Sequence, residues 1–153
     1  MSGFQGNAPV VFRGVSFVTA TRVSKDPQVG TIKMVDNEEY VFAYNGGNSQ
    51  IVPTNICIPQ SAMSIATVTL SSASGAGKAF GICKHATIPT ASYGFLLRRG
   101  PATINGGANA SFAAGGSVGI GDNGLAGLGA PIYGQALSAI ASGASGGAYV
   151  SMY

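Results

Sequence analysis

In two stretches of this chain, Ser64 to Leu70 and Ala148 to Tyr153, apolar and polar residues alternate with period two, the spacing of strands that bury one face. The run Ser64-Ile65-Ala66-Thr67-Val68-Thr69-Leu70 places Ile65, Thr67 and Thr69 on one face and Ala66, Val68 and Leu70 on the other, with the second set expected inward. Thr31 to Val35 and Glu39 to Tyr44 are β-branched and aromatic runs on either side of Asp36-Asn37-Glu38. That arrangement predicts a hairpin with a loop of about three residues.

Further strand candidates are spaced along the chain. Val10 to Thr19 is interrupted by Gly14; Ile51-Val52 is stopped by Pro53, with Cys57-Ile58 lying between turns; Ala79 to Ile88 is ended by Pro89. Tyr93 to Arg99 comes close behind. Weaker candidates are Ala102 to Ile104, Ser117 to Ile120, Gln135 to Ile140 and the last six residues. Gln135 to Ala141 has a composition compatible with a helix, but its shortness and flanking glycines favour a strand. Asn45-Gly46-Gly47-Asn48 supplies residues that accept positive φ. About eight to ten short strands separated by Gly, Pro and Asn turns predict an all-β fold, a small β-barrel or sandwich with Gly-rich loops. Residues 1–24 are expected as an N-terminal arm with a candidate added strand, and residues 25–153 as the β-barrel body.

Composition sharpens this picture. The 24 glycines argue against long helices, while 46% hydrophobic residues suffice for one modest core in 153 residues. No run of about 20 apolar residues is uninterrupted, so no membrane partner is expected. The start, Met1-Ser2-Gly3-Phe4-Gln5-Gly6-Asn7, lacks the pattern of a secretory leader, so synthesis in the cytoplasm is expected. Charged residues make up only 8%, and the net charge of +3 comes from scattered basic residues, of which only Arg98 and Arg99 are adjacent, so direct nucleic-acid binding is not expected. After Arg99 the single charged residue is Asp122. A surface this poor in charge implies extensive contact with partners, and so assembly. Cys57 and Cys83 lack metal-binding spacing and are expected reduced and buried.

The motifs that could carry chemistry lack their companions. Gly115-Gly116-Ser117-Val118-Gly119 matches GxSxG, but the only histidine, His85, precedes Ser117, whereas a hydrolase of that order needs a later acid and then a later His. Gly119-Ile120-Gly121-Asp122-Asn123-Gly124 matches GxGxxG, yet the run from Leu125 to Pro131 is poor helix and no downstream acid is present to hold a ribose, so the match is read as a turn. Ser74-Gly75-Ala76-Gly77-Lys78 fails two fixed positions of a phosphate loop, which leaves Lys78 as a solvated lysine. Asp36, Glu38 and Glu39 are read as a solvated loop, and His85 as a hydrogen-bonded strand residue. No enzyme activity, cofactor or metal is expected.

The stretch Ala79-Phe80-Gly81-Ile82-Cys83-Lys84-His85-Ala86-Thr87-Ile88-Pro89-Thr90-Ala91-Ser92-Tyr93-Gly94-Phe95-Leu96-Leu97-Arg98-Arg99-Gly100 resembles the capsid decoration, or cement, proteins of tailed bacteriophages. Tyr40 to Gly47 and Gly134 to Gly143 also look like segments of such proteins, so the likeness spans roughly residues 30 to 153. The resemblance implies a small β-barrel or β-tulip body on the outer capsid surface of a virion. It also implies a homo-oligomer, with a trimer favoured, that bridges subunits of the major capsid protein and stabilises the expanded shell. The family has no invariant active site, and the N-terminal segment before Lys25 is not part of the pattern. Interface anchors expected on this reading are Phe4, Tyr44, Tyr93, Tyr149 and Tyr153. The competing expectation is a receptor- or glycan-binding module of a phage head or tail fibre, using loops such as Tyr44 to Asn48.

Overall fold

Residues 27–61, 66–72 and 78–152 are described by the structure, a computed structural model. Val10 to Thr19 and the rest of the expected arm lie outside them. Strand β1 (Ile32–Val35) turns into β2 (Glu38–Asn45) through Asp36 and Asn37 alone. Both sit at positive φ, 49° and 65°, as a two-residue type I′ hairpin requires, so the loop is one residue shorter than expected and Glu38 belongs to the strand.

The alternation expected for the next hydrophobic runs is present in part. Strand β4 (Thr67–Leu70) turns Val68 fully inward, with Ala66 buried just before it. Cys57-Ile58 is not a segment between turns but the middle of β3 (Ile56–Pro59). The expected strand from Ala79 to Ile88 shrinks to β5 (Gly81–Ile82), after which the chain bends at His85-Ala86 and makes a single bridge from Ile88 to Ile51. Gly46 and Gly47 do not use positive φ; a Cβ at either would strike Thr67 or Thr69, so their role is close approach of two chain segments.

Tyr93 to Arg99 and Ala102 to Ile104, expected as separate strands, form one 13-residue strand, β6 (Tyr93–Asn105). The reason lies in a bulge. Leu97 pairs with Tyr40, but Arg99 pairs with Glu39, which leaves Arg98 as the extra residue. One inserted residue exchanges the two faces: Phe95 and Leu97 enter the larger core before it, Ala102 and Ile104 after it. Gly100 comes next at φ 139°, a conformation only glycine adopts easily.

Strand β2 pairs with β6 on one side and, at its end, in parallel with β4; β4 pairs with β3, β3 with β5, and β5 with β6. These five strands therefore close into a ring. Val41, Ala43, Ile51, Cys57, Val68, Cys83, Ile88 and Leu96 fill it. Because Tyr40 and Phe42 face the other way into a second core, β2 is buried on both sides.

That second core is built with the C-terminal half, β7 (Ser117–Ile120), β8 (Ala126–Gly127), β9 (Gly129–Ala136) and β10 (Ser145–Ser151), which continue the sheet from β6 in the order β10, β9, β7, β8. The strand expected at Gln135 to Ile140 lies further upstream, as β9. Ala148 and Val150 of β10 and Val118 of β7 are fully buried there. Burying each such aliphatic side chain stabilises the fold by about 1.5–3 kcal/mol at the larger sizes. The fold is all-β: among the described residues the one helical element is a short 3-10 turn, Asp122–Gly124.

Candidate functional site

The fold separates the five expected interface anchors. Tyr44 and Tyr93 stand opposite each other at the start of β6, ring centroids 4.9 Å apart, and Tyr93 also stacks on Phe42. They form a half-buried aromatic ladder at one end of the larger core. Tyr149 lies elsewhere, on β10 opposite Pro101, with 45% of its surface exposed. Phe4 and Tyr153 lie outside the described residues.

Tyr149 belongs to an outer face that its strand neighbours define. Past the bulge, Arg99, Pro101 and Thr103 of β6 point away from the core and stand opposite Ser151, Tyr149 and Gly147 of β10. Leu137, just after β9 and 60% exposed, donates its backbone N–H to the Gly147 carbonyl and completes the face. Where β6 leaves the ring, this face runs into a groove of about 510 Å³ whose far wall is formed by Pro53 and Thr54, in the turn Val52-Pro53-Thr54-Asn55, together with Lys84.

The turn is held firmly. Asn55 N–H donates to Val52 O, the Asn55 side-chain oxygen accepts from Val52 N–H, and Thr54 N–H donates to Cys83 O. Pro53 supplies the fixed φ that the second position of such a turn favours, but Thr54 in the third sits at φ 82°. A β-branched residue there is strained, since glycine is the residue that fits without cost.

Beside the groove lies a charged cluster that crosses the sheet. Lys84 Nζ is 2.5 Å from Glu38 Oε1, the Tyr40 hydroxyl donates to the other Glu38 oxygen, and His85 Nε2 lies 2.9 Å from the same hydroxyl, its ring stacked on that of Tyr40. Arg98 lies 3.8 Å from Glu39 and donates from Nε to Met152 O. The acids therefore do not form a solvated loop; only Asp36 of the three is exposed at the turn. Nor is His85 a strand residue.

Burial works against ionising Glu38, yet the hydrogen bonds from Lys84 and Tyr40 outweigh it and hold the carboxyl below its ordinary value. Burial, and then the neighbouring Glu38, push the Tyr40 phenol far upward, so it remains a donor. Desolvation and then Lys84 lower His85, favouring the neutral ring. The hydrogen bonds of Tyr40 and Glu38 are spent within the cluster, which makes it a clamp between β2 and the bend after β5. Sequence spacing carries no signal for it, because His85 and Tyr40 are 45 positions apart.

The remaining motif residues have structural places. Ser117 begins β7 after a turn centred on Ala114 and Gly115, and Asp122-Asn123-Gly124 is a turn with Asn123 at φ 55° and Gly124 at φ 78°. Cys57 and Cys83 are free thiols in the ring core; burial pushes Cys83 up to about 12 and Cys57 well above its usual value. Among the described residues no helix is long and apolar enough to cross a membrane.

Set against known proteins, this fold is similar to that of the head fiber gp8.5 N base of bacteriophage phi29. The TM-score is 0.52 at 11% identity over 73% of this chain and 92% of that one. At that identity the likeness is one of fold. No family model and no curated protein matches the chain.

Proposed function

We propose that this chain is a structural protein of a phage virion, bound to the outer surface of the capsid, where it bridges major capsid protein subunits and stabilises the expanded shell. The observation that carries the reading is the fold shared with a phage head fiber base across nearly all of that domain. The surface supports it: strands β7 to β10 carry no charged side chain, and the described face around Tyr149 and Leu137 presents large apolar groups that contact with a partner would cover. On this reading the chain is made in the host cytoplasm, acts as a homo-oligomer, a trimer being favoured, and performs no catalysis. It contacts protein and neither nucleic acid nor membrane.

Electron microscopy of the source virion, with this chain deleted and restored, tests the proposal. Extra density on the shell that disappears with the gene is expected, together with earlier shell rupture on heating. An unchanged shell surface overturns it. The likeness to a fiber base favours a second reading, a receptor- or glycan-binding module of a head fibre. A glycan-array signal lost in Tyr44→Ala with the fold intact would select that reading instead.

A further inference from the structure

We propose that the groove where β6 leaves the ring docks an extended segment of the shell protein that carries a carboxylate and, about four residues further on, an apolar side chain. The proposal rests on the virion reading above and names the contact that would deliver it.

A strained turn and an exposed apolar and cationic face meet at this groove and beside it. Thr54 keeps a strained backbone at φ 82° in a turn whose geometry suits glycine, and it borders the open space. A strained residue that the surrounding hydrogen bonds hold in place marks a position kept for contact rather than for folding. Leu137 and Tyr149, 60% and 45% exposed, rise from a part of the sheet without charge, and Gly147 between them keeps the floor low. Tyrosine and arginine are the residues that most often dominate protein interfaces, and here Arg99 shares the outer face with Tyr149.

Charge sets the direction of the guest. Lys84 and Arg98 pair with Glu38 and Glu39 at the ring end, which leaves Arg99 as the excess positive charge, whereas Leu137 at the other end has no charged neighbour on β9 or β10. Arg99 and Thr103 are four residues apart along β6, roughly 13 Å at the rise of a strand, and Thr103 lies opposite Gly147 beside Leu137. An extended segment therefore meets the cationic end and the Leu137 end about four residues apart. Its acid faces Arg99, and its apolar side chain covers Leu137.

The test uses the full chain and purified shells of its own virus in a co-sedimentation assay. Arg99→Glu, Tyr149→Ala and Leu137→Asp are each expected to weaken binding by about tenfold or more without lowering the melting temperature. Met34→Asp, on the exposed far edge of the sheet, is expected to leave binding unchanged. Thr54→Gly is expected to melt higher yet bind several-fold more weakly; a purely structural Thr54 would change the melt alone. A photo-crosslinker at Leu137 is expected to capture a shell-protein segment bearing Asp or Glu nearby. If the wild type binds shells and the variants at Leu137 and on the adjoining face bind as tightly, or if the crosslink is to a second copy of this chain, the docking site is wrong while the virion role stands. If the wild type fails to bind, the virion role itself falls, and this site with it.

Discussion

Lys84 Nζ lies 2.5 Å from Glu38 Oε1, a contact that fastens the bend after β5 to the first residue of β2 across 46 positions of sequence. With Tyr40 and His85 it forms a clamp whose strength depends on protonation. Glu38 titrates lower in the fold than in the unfolded chain, so its contribution is complete above its ordinary value of 4.5 and is lost as pH falls through its folded pKa. His85 is also lowered, so the neutral ring's contribution is complete above 6.5 and is lost as pH falls through its own folded pKa. The melting temperature is therefore expected to fall on acidification in two stages, one starting below 6.5 and one below 4.5. His85→Gln should remove the first stage and Glu38→Gln the second. A melting profile that stays flat through both windows would sink this account.

The β1–β2 hairpin turns on two residues at positive φ, Asp36 and Asn37. Proline at 36 fixes φ near −65°, the opposite sign, so Asp36→Pro should destabilise by more than about 1 kcal/mol and free the edge strand. Asn37→Gly removes the side-chain cost of that conformation and should stabilise by about 0.5 kcal/mol. Urea midpoints read both. Equal midpoints for the two variants would show that the turn does not control the hairpin.

Strands β9 and β10 approach closely at Gly134, where a Cβ would come within 2.6 Å of the Tyr149 carbonyl oxygen. That neighbour is backbone and cannot swing aside. Gly134→Ala is expected to cost about 1–3 kcal/mol by pushing the two strands apart. Chemical denaturation would measure the loss, and amide exchange should show faster opening at Val150, which pairs with Gly134. A variant as stable as the wild type would mean the strands can separate without loss.

The readable parts of the chain are those whose burial is one-sided. Ser64 to Leu70 alternates because β4 buries one face, and Val68 points inward as its place in the pattern demands. Ile56-Cys57-Ile58 is buried on both faces, Cys57 in the ring and its neighbours in the larger core, so it has no alternation to read. Strand β6 resembles two strands because the bulge at Arg98 reverses the pattern just before Gly100-Pro101, a pair that ordinarily marks a break. The start of β9 is hidden by Gly129 and Pro131. The exposed Tyr149 is visible from its alternating run, but its distance from the Tyr44 and Tyr93 pair comes from strand pairing. Leu137 and Thr54 become candidates only when the fold sets them beside one groove.

Tyr133 lies 3% exposed in the larger core, and its hydroxyl has no hydrogen-bond partner among the described residues. Burial alone pushes its phenol upward, as expected of a group shut away from water with no charge nearby. A buried donor left unpaired costs about 1–3 kcal/mol, while the ring itself contributes packing that phenylalanine reproduces. Tyr133→Phe should therefore leave the core filled and raise stability by up to about 1 kcal/mol, whereas Tyr133→Ala should lose about 3–5 kcal/mol to the cavity. The contrast separates the hydroxyl from the ring. If the phenylalanine variant is instead destabilised by more than about 1 kcal/mol, the hydroxyl has a partner in the folded protein, and the orphan assignment is wrong.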